Sequence, residues 1–427
     1  MNASPPVSRS RLPEDFWSNL ALFALPAMAI TVPSGSAYPA LLLVLAGLAG
    51  WLRRRGDPAL PASARWLFLS FLPLAACWLI DDVSSGLGGR GVEKPLKILL
   101  TLPALWYLAW RPPAHRWLWP GISAGVLVAC AEALYQVFLL HQPRASGAMF
   151  SIHFGDLAMM FGLMSLCAWH LPVQRPGLLR AGLLLTCLTG VLASLLSGTR
   201  GAWLASLLPL SVYLGYLLWQ RRFRPLLTAA LASMLVLAAS LAVPGLHVQQ
   251  RVALAIEEIQ AYRSSQQADT SVGARAQMWG QAWRLYTEKP LLGWQHDGYL
   301  AQQQAGIASG KLDPLLAQFD HPHNEFLNAA AKQGTLGVLA LLLVYAVPGA
   351  LFVRCFRSAR GHPALRAVAA AGMLVPLMHA GFGLTETYLP HNSPSTIYFY
   401  LLCLLWGAAW RLQRRPAPGN AAMRPIP

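Results

Sequence analysis

The chain has 427 residues, of which 55% are hydrophobic and only 12% are charged. Soluble domains carry about 25% charged residues, so this composition excludes an ordinary water-soluble globular protein. The net charge of +16 comes from basic residues scattered between apolar runs. That scatter favours lipid head groups over nucleic acid as their partners.

Apolar runs of membrane-spanning length recur along the whole chain. A helix needs roughly 17–25 such residues to cross the hydrocarbon core. We predict twelve spans, at residues 14–34, 37–53, 64–81, 95–111, 117–140, 151–170, 178–197, 201–219, 225–245, 334–354, 364–384 and 395–412. The expected fold class is therefore an all-α polytopic membrane protein with one large helical loop.

The basic residues also predict the orientation of the chain. With the N-terminus inside, 21 Lys and Arg fall in cytoplasmic segments and 5 in the short outer loops, as the positive-inside rule requires. Both termini are then cytoplasmic, and the polar segment 247–323 lies on the outer, periplasmic face. The predicted organisation is spans one to nine in 1–246, the loop in 247–323, spans ten to twelve in 324–412 and a cytoplasmic tail in 413–427.

The outer loop is predicted to contain two helices followed by a loop. Residues 248–263 place apolar and charged positions at helical spacing. Residues 274–288 form an amphipathic pattern that could lie on a membrane, and Pro290 and Gly293 end it. Its apolar face consists of Met278, Trp279, Ala282, Trp283 and Tyr286.

Several classes of site are not indicated. The six cysteines lie in or beside apolar runs without a C-x-x-C pair, so neither a disulfide framework nor a zinc site is expected. There is no P-loop for ATP and no D-x-D pair for a metal-bound nucleotide sugar. Asp81 and Asp82 are interpreted as solvated loop acids. No cofactor and no metal are predicted.

Two arginines are candidate anion-binding residues. Arg200 lies in Ser197-Gly198-Thr199-Arg200-Gly201 between two apolar runs, where a guanidinium could grip phosphate bidentately. The alternative is a tight turn with an arginine that reaches the head groups. Arg275 begins the amphipathic helix and could complete a clamp on a diphosphate, or be an ordinary solvated helix charge.

His323 is the candidate general base. It follows Pro322 where the loop re-enters the membrane, so we expect it in the first turn of a helix. A capping histidine or a metal ligand are the alternatives. His321 lies only two positions away, and the sequence shows no obvious third ligand nearby.

Other polar residues are predicted near the same outer face. Lys94, Lys97 and Arg144 would form a basic pocket for an anionic lipid head group. His153 and Asp156 lie together in the first turn of span six. Intramembrane charges are costly, which makes each a functional candidate.

Taken together, these segments resemble the O-antigen ligase/polymerase superfamily of polytopic, GT-C-like glycosyltransferases. The segment Ser197 to Gly201 resembles the S-x-[ST]-R element of this superfamily. Arg275 and Trp279 resemble its R-x-x-x-W helix, and Pro290-Leu291-Leu292-Gly293 resembles the stretch that follows that helix. His323-Asn324 with Leu327 and Gly334 resembles its entry into span ten. Gly383-Leu384-Thr385-Glu386 resembles a looser glycine and acid element. Lys332 departs from the pattern, since many relatives carry an acid there.

The resemblance implies an O-antigen ligase of the bacterial inner membrane that completes lipopolysaccharide. The donor would be O-antigen on undecaprenyl diphosphate and the acceptor the lipid A–core oligosaccharide. His323 would act as the base in an inverting, metal-independent transfer without ATP, and Arg200 and Arg275 would stabilise the diphosphate. Asn324, Glu386, His153 and Asp156 would support them.

Two further functions remain open. An O-antigen polymerase or a protein O-oligosaccharyltransferase would share these motifs, although the compact loop favours the ligase. A lipid-glycan transporter would show inverted repeats and paired charges near the bilayer midplane. Only Glu132 lies that deep and no repeat is visible, so a transporter is disfavoured.

Overall fold

A computed structural model describes residues 14–53, 59–84, 89–219 and 270–414, together with single positions at 221, 227, 253 and 257. Every regular element within these residues is helical, which confirms the predicted all-α class. The predicted span 225–245 and the predicted helix 248–263 lie outside the described residues.

Fourteen α-helices are defined in the described part of the chain. They are α1 (Phe16–Met28), α2 (Ala37–Arg53), α3 (Ala62–Ser84), α4 (Gly89–Leu99), α5 (Thr101–Trp110), α6 (Leu118–Leu134), α7 (Ser151–Ser165), α8 (Pro176–Ser197), α9 (Arg200–Trp219), α10 (Ser271–Glu288), α11 (Gln295–Ala308), α12 (Glu325–Ser358), α13 (Pro363–Phe382) and α14 (Asn392–Gln413).

Among the described residues, seven helical segments are long and apolar enough to cross a membrane, namely Ala62–Ser84, His115–Leu139, Ser151–Ala168, Pro176–Ser197, Glu325–Ser358, Pro363–Phe382 and Asn392–Gln413. Helices α1 and α2 are shorter apolar helices. The chain is thus a multi-pass membrane protein. The predicted span 95–111 is divided at Leu100 between α4 and α5, because Pro103 cannot donate to the carbonyl four residues earlier.

Small residues let the helices pack closely. A Cβ on Gly190 of α8 would lie 2.6 Å from the Ala158 carbonyl oxygen of α7, and one on Gly125 of α6 would lie 2.1 Å from the Pro26 carbonyl oxygen of α1. Membrane helices associate through such close backbone contacts because lipid offers no hydrophobic contrast. Helix α14 lies among the others, and most of its side chains are buried.

A kink in α12 is joined to the loop that precedes it. Gly334 has a φ of 66° and interrupts the helix, which leaves backbone N–H groups without helical partners. The N–H of Thr335 donates to the Pro290 carbonyl at 2.7 Å, and the N–H of Trp294 donates to the Ala331 carbonyl at 2.9 Å. Gly293, at a φ of 67°, packs against the Lys332 backbone. The two motif glycines therefore fix the first part of α12 against the outer loop.

The outer loop contains one helix that the sequence analysis missed. Residues 289–323 were expected to be irregular, but α11 occupies Gln295–Ala308 and a 3₁₀ turn occupies Pro314–Gln318. Gly298 and Gly306 lower the helix propensity of α11, while its buried face (Tyr299, Gln303 and Gly306) packs inward and stabilises it.

The predicted amphipathic helix is confirmed as α10, but its buried face differs. Met278, Ala282 and Leu285 are buried, whereas Trp283 is 58% exposed. Met278 packs with Leu316 of the 3₁₀ turn, and Leu285 packs with Tyr299 of α11. Helix α10 therefore packs on the rest of the loop with one face, and Trp283 points away from that face.

Candidate active site

His323 lies immediately before helix α12 and not in its first turn, so that expectation is wrong. The helix begins at Glu325, and the Asn324 side chain accepts a hydrogen bond from the Leu327 N–H at 3.0 Å. Asparagine is among the best N-cap residues, so the helix begins after Asn324 and not at Pro322. His323 has a φ of +49°, a conformation unusual for a histidine.

The His323 ring contacts Glu386, which follows helix α13. His323 Nδ1 lies 3.0 Å from both Glu386 Oε1 and Oε2. A carboxylate accepts hydrogen bonds, so Nδ1 carries the proton and Nε2 is left as the accepting nitrogen. The pair therefore has the arrangement of a general base oriented by a carboxylate.

His321 contacts the same carboxylate, and Asp320 in turn contacts His321. His321 Nε2 lies 3.1 Å from Glu386 Oε1, and His321 Nδ1 lies 2.5 Å from Asp320 Oδ1. Burial opposes the charged ring, but the hydrogen bonds to Asp320 and Glu386 outweigh it and raise the pKa of His321 to about 9. Burial likewise opposes a charged Glu386, yet its hydrogen bonds with His321 and His323 hold its pKa well below the usual range.

A buried network ties the start of α12 to the segment that carries Glu386. The Tyr345 hydroxyl donates to Glu325 Oε2 at 3.0 Å, and the Leu389 N–H donates to Glu325 Oε1 at 2.9 Å. The Asn324 side chain donates to the Leu384 carbonyl at 3.0 Å. Because these bonds hold both partners of the His323–Glu386 pair, its geometry is preorganised.

Lys332 positions the histidine loop, the segment 320–323 that carries His321 and His323. Its Nζ is buried and donates to the Asp320 carbonyl at 2.8 Å and to His296 Nδ1 at 3.1 Å. Burial, followed by the charge of Lys332, lowers the pKa of His296, which suits a ring that accepts this bond. Lys332 thus joins α11, α12 and the loop that carries His321 and His323.

Asp81 and Asp82 are not solvated loop acids, contrary to the expectation. Both belong to helix α3, and Asp82 is buried. Asp81 Oδ1 accepts the backbone N–H of His296 at 2.6 Å, which caps the start of α11. Asp81 thus docks the outer loop on the transmembrane helices.

Arg275 lies on the side of α10 that faces the histidine loop. Trp279, one helical turn further on, donates from Nε1 to the Pro322 carbonyl at 2.9 Å. Residues four apart share a helix face. Arg275 is therefore carried by the same face that contacts Pro322, the residue before His323.

Arg200 begins helix α9 in a segment packed against the residues around Glu386. Thr199 Oγ1 donates to the Ser151 carbonyl at 2.9 Å. A Cβ on Gly201 would lie 2.3 Å from Thr385 Oγ1 and 4.0 Å from Asp156 Oδ1. The fold therefore brings the motifs of Arg200, Glu386 and His323 to one end of the helix bundle.

The two supporting residues of α7 are buried beside this site. His153 stacks edge-on against Tyr388 with 5.0 Å between ring centroids. Asp156 is fully buried, and neither of its carboxyl oxygens has a hydrogen-bond partner among the described residues. Because an intramembrane carboxyl without partners is costly, Asp156 is a candidate for contact with a substrate.

The three outer basic residues differ in their surroundings. Lys97 Nζ lies 2.8 Å from Glu93 Oε1 and 2.8 Å from Asn392 Oδ1. Arg144 Nε donates to the Ser197 carbonyl at 2.7 Å, beside the Arg200 motif. Burial lowers the pKa of His391, and the positive charge of nearby Lys94 adds to this shift. The predicted basic pocket is thus divided between two sides of the site.

Some site residues were missed because they are distant in sequence. His391, the N-cap of α14, lies with its ring centroid 5.6 Å from that of His321 and 4.7 Å from that of His153. No third ligand lies near His321 in the sequence, as expected, but the fold brings one close to it. In the fold, ligand atoms of His321, Glu386 and His391 lie within 4.8 Å of one another. The sequence signal was a second histidine motif, Pro390-His391, at the outer end of a span.

Comparisons with known proteins match the part of the chain that carries several of these residues. The profile of the O-antigen ligase family matches residues 185–342, a range that includes Arg200, Arg275 and His323. An uncharacterised protein of Haemophilus influenzae is 23% identical over 394 residues, which cover 91% of this chain and 98% of that protein. Residues 185–342 of this multi-pass membrane protein are therefore similar to the O-antigen ligase family, whose members are glycosyltransferase-type enzymes.

Proposed function

We propose that this chain transfers an O-antigen glycan from undecaprenyl diphosphate to a hydroxyl of the lipid A–core oligosaccharide. The observation that carries the proposal is the bond between His323 Nδ1 and both oxygens of Glu386. It leaves Nε2 as the nitrogen that accepts a proton from an acceptor hydroxyl.

The reaction is an inverting displacement. The acceptor oxygen attacks the anomeric carbon of the donor while His323 Nε2 takes the hydroxyl proton. The bond between that carbon and the diphosphate breaks, and undecaprenyl diphosphate leaves. Glu386 holds the ring in the required tautomer and stabilises the imidazolium that forms.

Arg200 and Arg275 would stabilise the charge that develops on the diphosphate. A guanidinium presents a planar fork that matches phosphate oxygens. Preorganised positive charge of this kind can take the place of a metal ion at a leaving group. Lys94, Lys97 and Arg144 would add to the positive field around the donor head group.

The site would lie at the periplasmic face of the inner membrane, with both termini in the cytoplasm. The distribution of Lys and Arg between short loops supports this orientation. It also fits a lipid-linked donor, since a periplasmic enzyme has no nucleotide sugar at hand.

The proposal is tested by reconstitution. We expect the purified chain, mixed with lipid-linked O-antigen and lipid A–core in EDTA without ATP, to form product that a gel shift of the core oligosaccharide detects. Parallel reactions offer a second lipid-linked repeat unit or a serine-containing acceptor protein. Transfer to one of these and not to lipid A–core would reassign the chain to a polymerase or a protein glycosyltransferase.

Replacing Arg200 with lysine tests the bidentate grip in the same assay. We expect activity to fall by about 10–100-fold, because lysine keeps the charge but loses the planar fork. Arg180→Lys, on helix α8 away from the site, is the matched control and should retain full activity. Full activity of Arg200→Lys would show that Arg200 does not grip the diphosphate in this way.

A further inference from the structure

The histidine cluster around Glu386 has ligand chemistry that proton transfer does not use. One ring nitrogen of His321, a Glu386 carboxylate oxygen and a ring nitrogen of His391 all lie within 4.8 Å of one another. Two imidazoles and one carboxylate are a common donor set for zinc and similar ions. We propose that His321, Glu386 and His391 form an inhibitory binding site for a divalent transition-metal ion such as Zn²⁺.

The distances fit such an ion with small side-chain rotations. Bond lengths of about 2.0–2.1 Å to nitrogen imply roughly 3.4 Å between two ligands of a tetrahedral site. His321 Nε2 and Glu386 Oε1 are 3.1 Å apart, which is already near that spacing. The ion would replace the proton on His321 Nε2, while His321 Nδ1 would keep its proton towards Asp320. Three protein ligands leave a fourth position open for water.

Two residues are placed to support the ligands from outside. Asp320 Oδ1 lies 2.5 Å from His321 Nδ1 and would orient that ring as carboxylates orient metal-bound histidines. The Thr387 N–H donates to Glu386 Oε1 at 2.9 Å and fixes the carboxylate. The three ligands come from three segments that the fold already holds together, so little ordering is required.

A metal ion at this position would oppose the proposed transfer reaction. Glu386 would donate electron density to the ion, and its bonds to His323 Nδ1 would weaken. His323 would then lose the group that fixes its tautomer. We infer that micromolar Zn²⁺ inhibits the enzyme, while EDTA leaves it active. This step rests on the proposed function, but metal binding itself does not.

Binding is measured first, on the purified full-length protein in detergent, without any glycan substrate. Co²⁺ serves as the probe because its visible absorption reports nitrogen and oxygen ligation, and Zn²⁺ should displace it at one ion per chain. We expect His391→Ala to weaken Co²⁺ binding at least tenfold. The His391 side chain makes no capping hydrogen bond to α14, so this variant should fold. His170→Ala, at an exposed site, is the control.

Two outcomes would overturn the proposal. The first is that the wild-type protein binds no more Co²⁺ than a double variant with His321→Ala and His391→Ala. The other is equal affinity in wild type and His391→Ala, with both proteins eluting as folded monodisperse species. If transfer activity is detected, whatever rate His391→Ala shows without metal should be inhibited less by Zn²⁺ than the wild-type rate is, at the same Zn²⁺ concentrations. Failure of transfer with intact Co²⁺ binding would count against the proposed function and leave the metal site standing.

Discussion

Replacing His323 with alanine should lower the transfer rate by about 10²–10⁴-fold, the usual contribution of a general base. The acceptor hydroxyl would lose the nitrogen that takes its proton, while the diphosphate contacts would remain. The expected result is therefore a fall in kcat with a smaller change in KM for the lipid-linked donor. Rates of product formation under saturating donor measure this directly.

His170→Ala provides the matched control, since it removes an exposed imidazole without touching the site. It should keep wild-type activity in the same preparation. The His323 variant should also keep its thermal stability, because the cap of α12 depends on Asn324 and not on His323. Transfer by His323→Ala at the wild-type rate would exclude the proposed base.

Replacing Glu386 with glutamine should also cost about 10²–10⁴-fold in kcat. An amide can accept from His323 Nδ1 with one atom only, and it can instead donate to that nitrogen and stabilise the wrong tautomer. The proton would then occupy Nε2, the position that must accept the acceptor proton. An analogous loss follows the loss of the orienting carboxylate in catalytic triads.

Glu386→Asp separates orientation from charge. It keeps the carboxylate but shortens the side chain by one methylene, so it should retain more activity than Glu386→Gln. The opposite ranking, or a Gln variant with full activity, would mean that the contact with His323 has no catalytic role. Circular dichroism and gel filtration of all three proteins exclude misfolding as the cause.

The chain's class and many of its helices follow from local sequence. Apolar runs of sufficient length predict spans because unpaired backbone groups are costly in lipid. Proline and glycine punctuation predicted the end of α10, and the Gly334 motif lies where α12 kinks. These features depend on neighbours along the chain, which the sequence contains. Helix α11 was missed because its stability comes from packing of Tyr299 and Gln303 and not from its own propensity.

The sequence by itself determined the membrane class, the polar segment that interrupts the apolar runs, and the choice of Arg200, Arg275 and His323 as candidates. Only the tertiary structure decided which side chains lie beside them. Glu386 lies 63 positions from His323, and helical periodicity does not specify which side chains of different spans meet. That choice is made by close packing at glycines and by buried polar groups that must find partners. The sequence assigned no role to Lys332. Because its buried ammonium group needs hydrogen-bond partners, it holds the loop that carries His321 and His323.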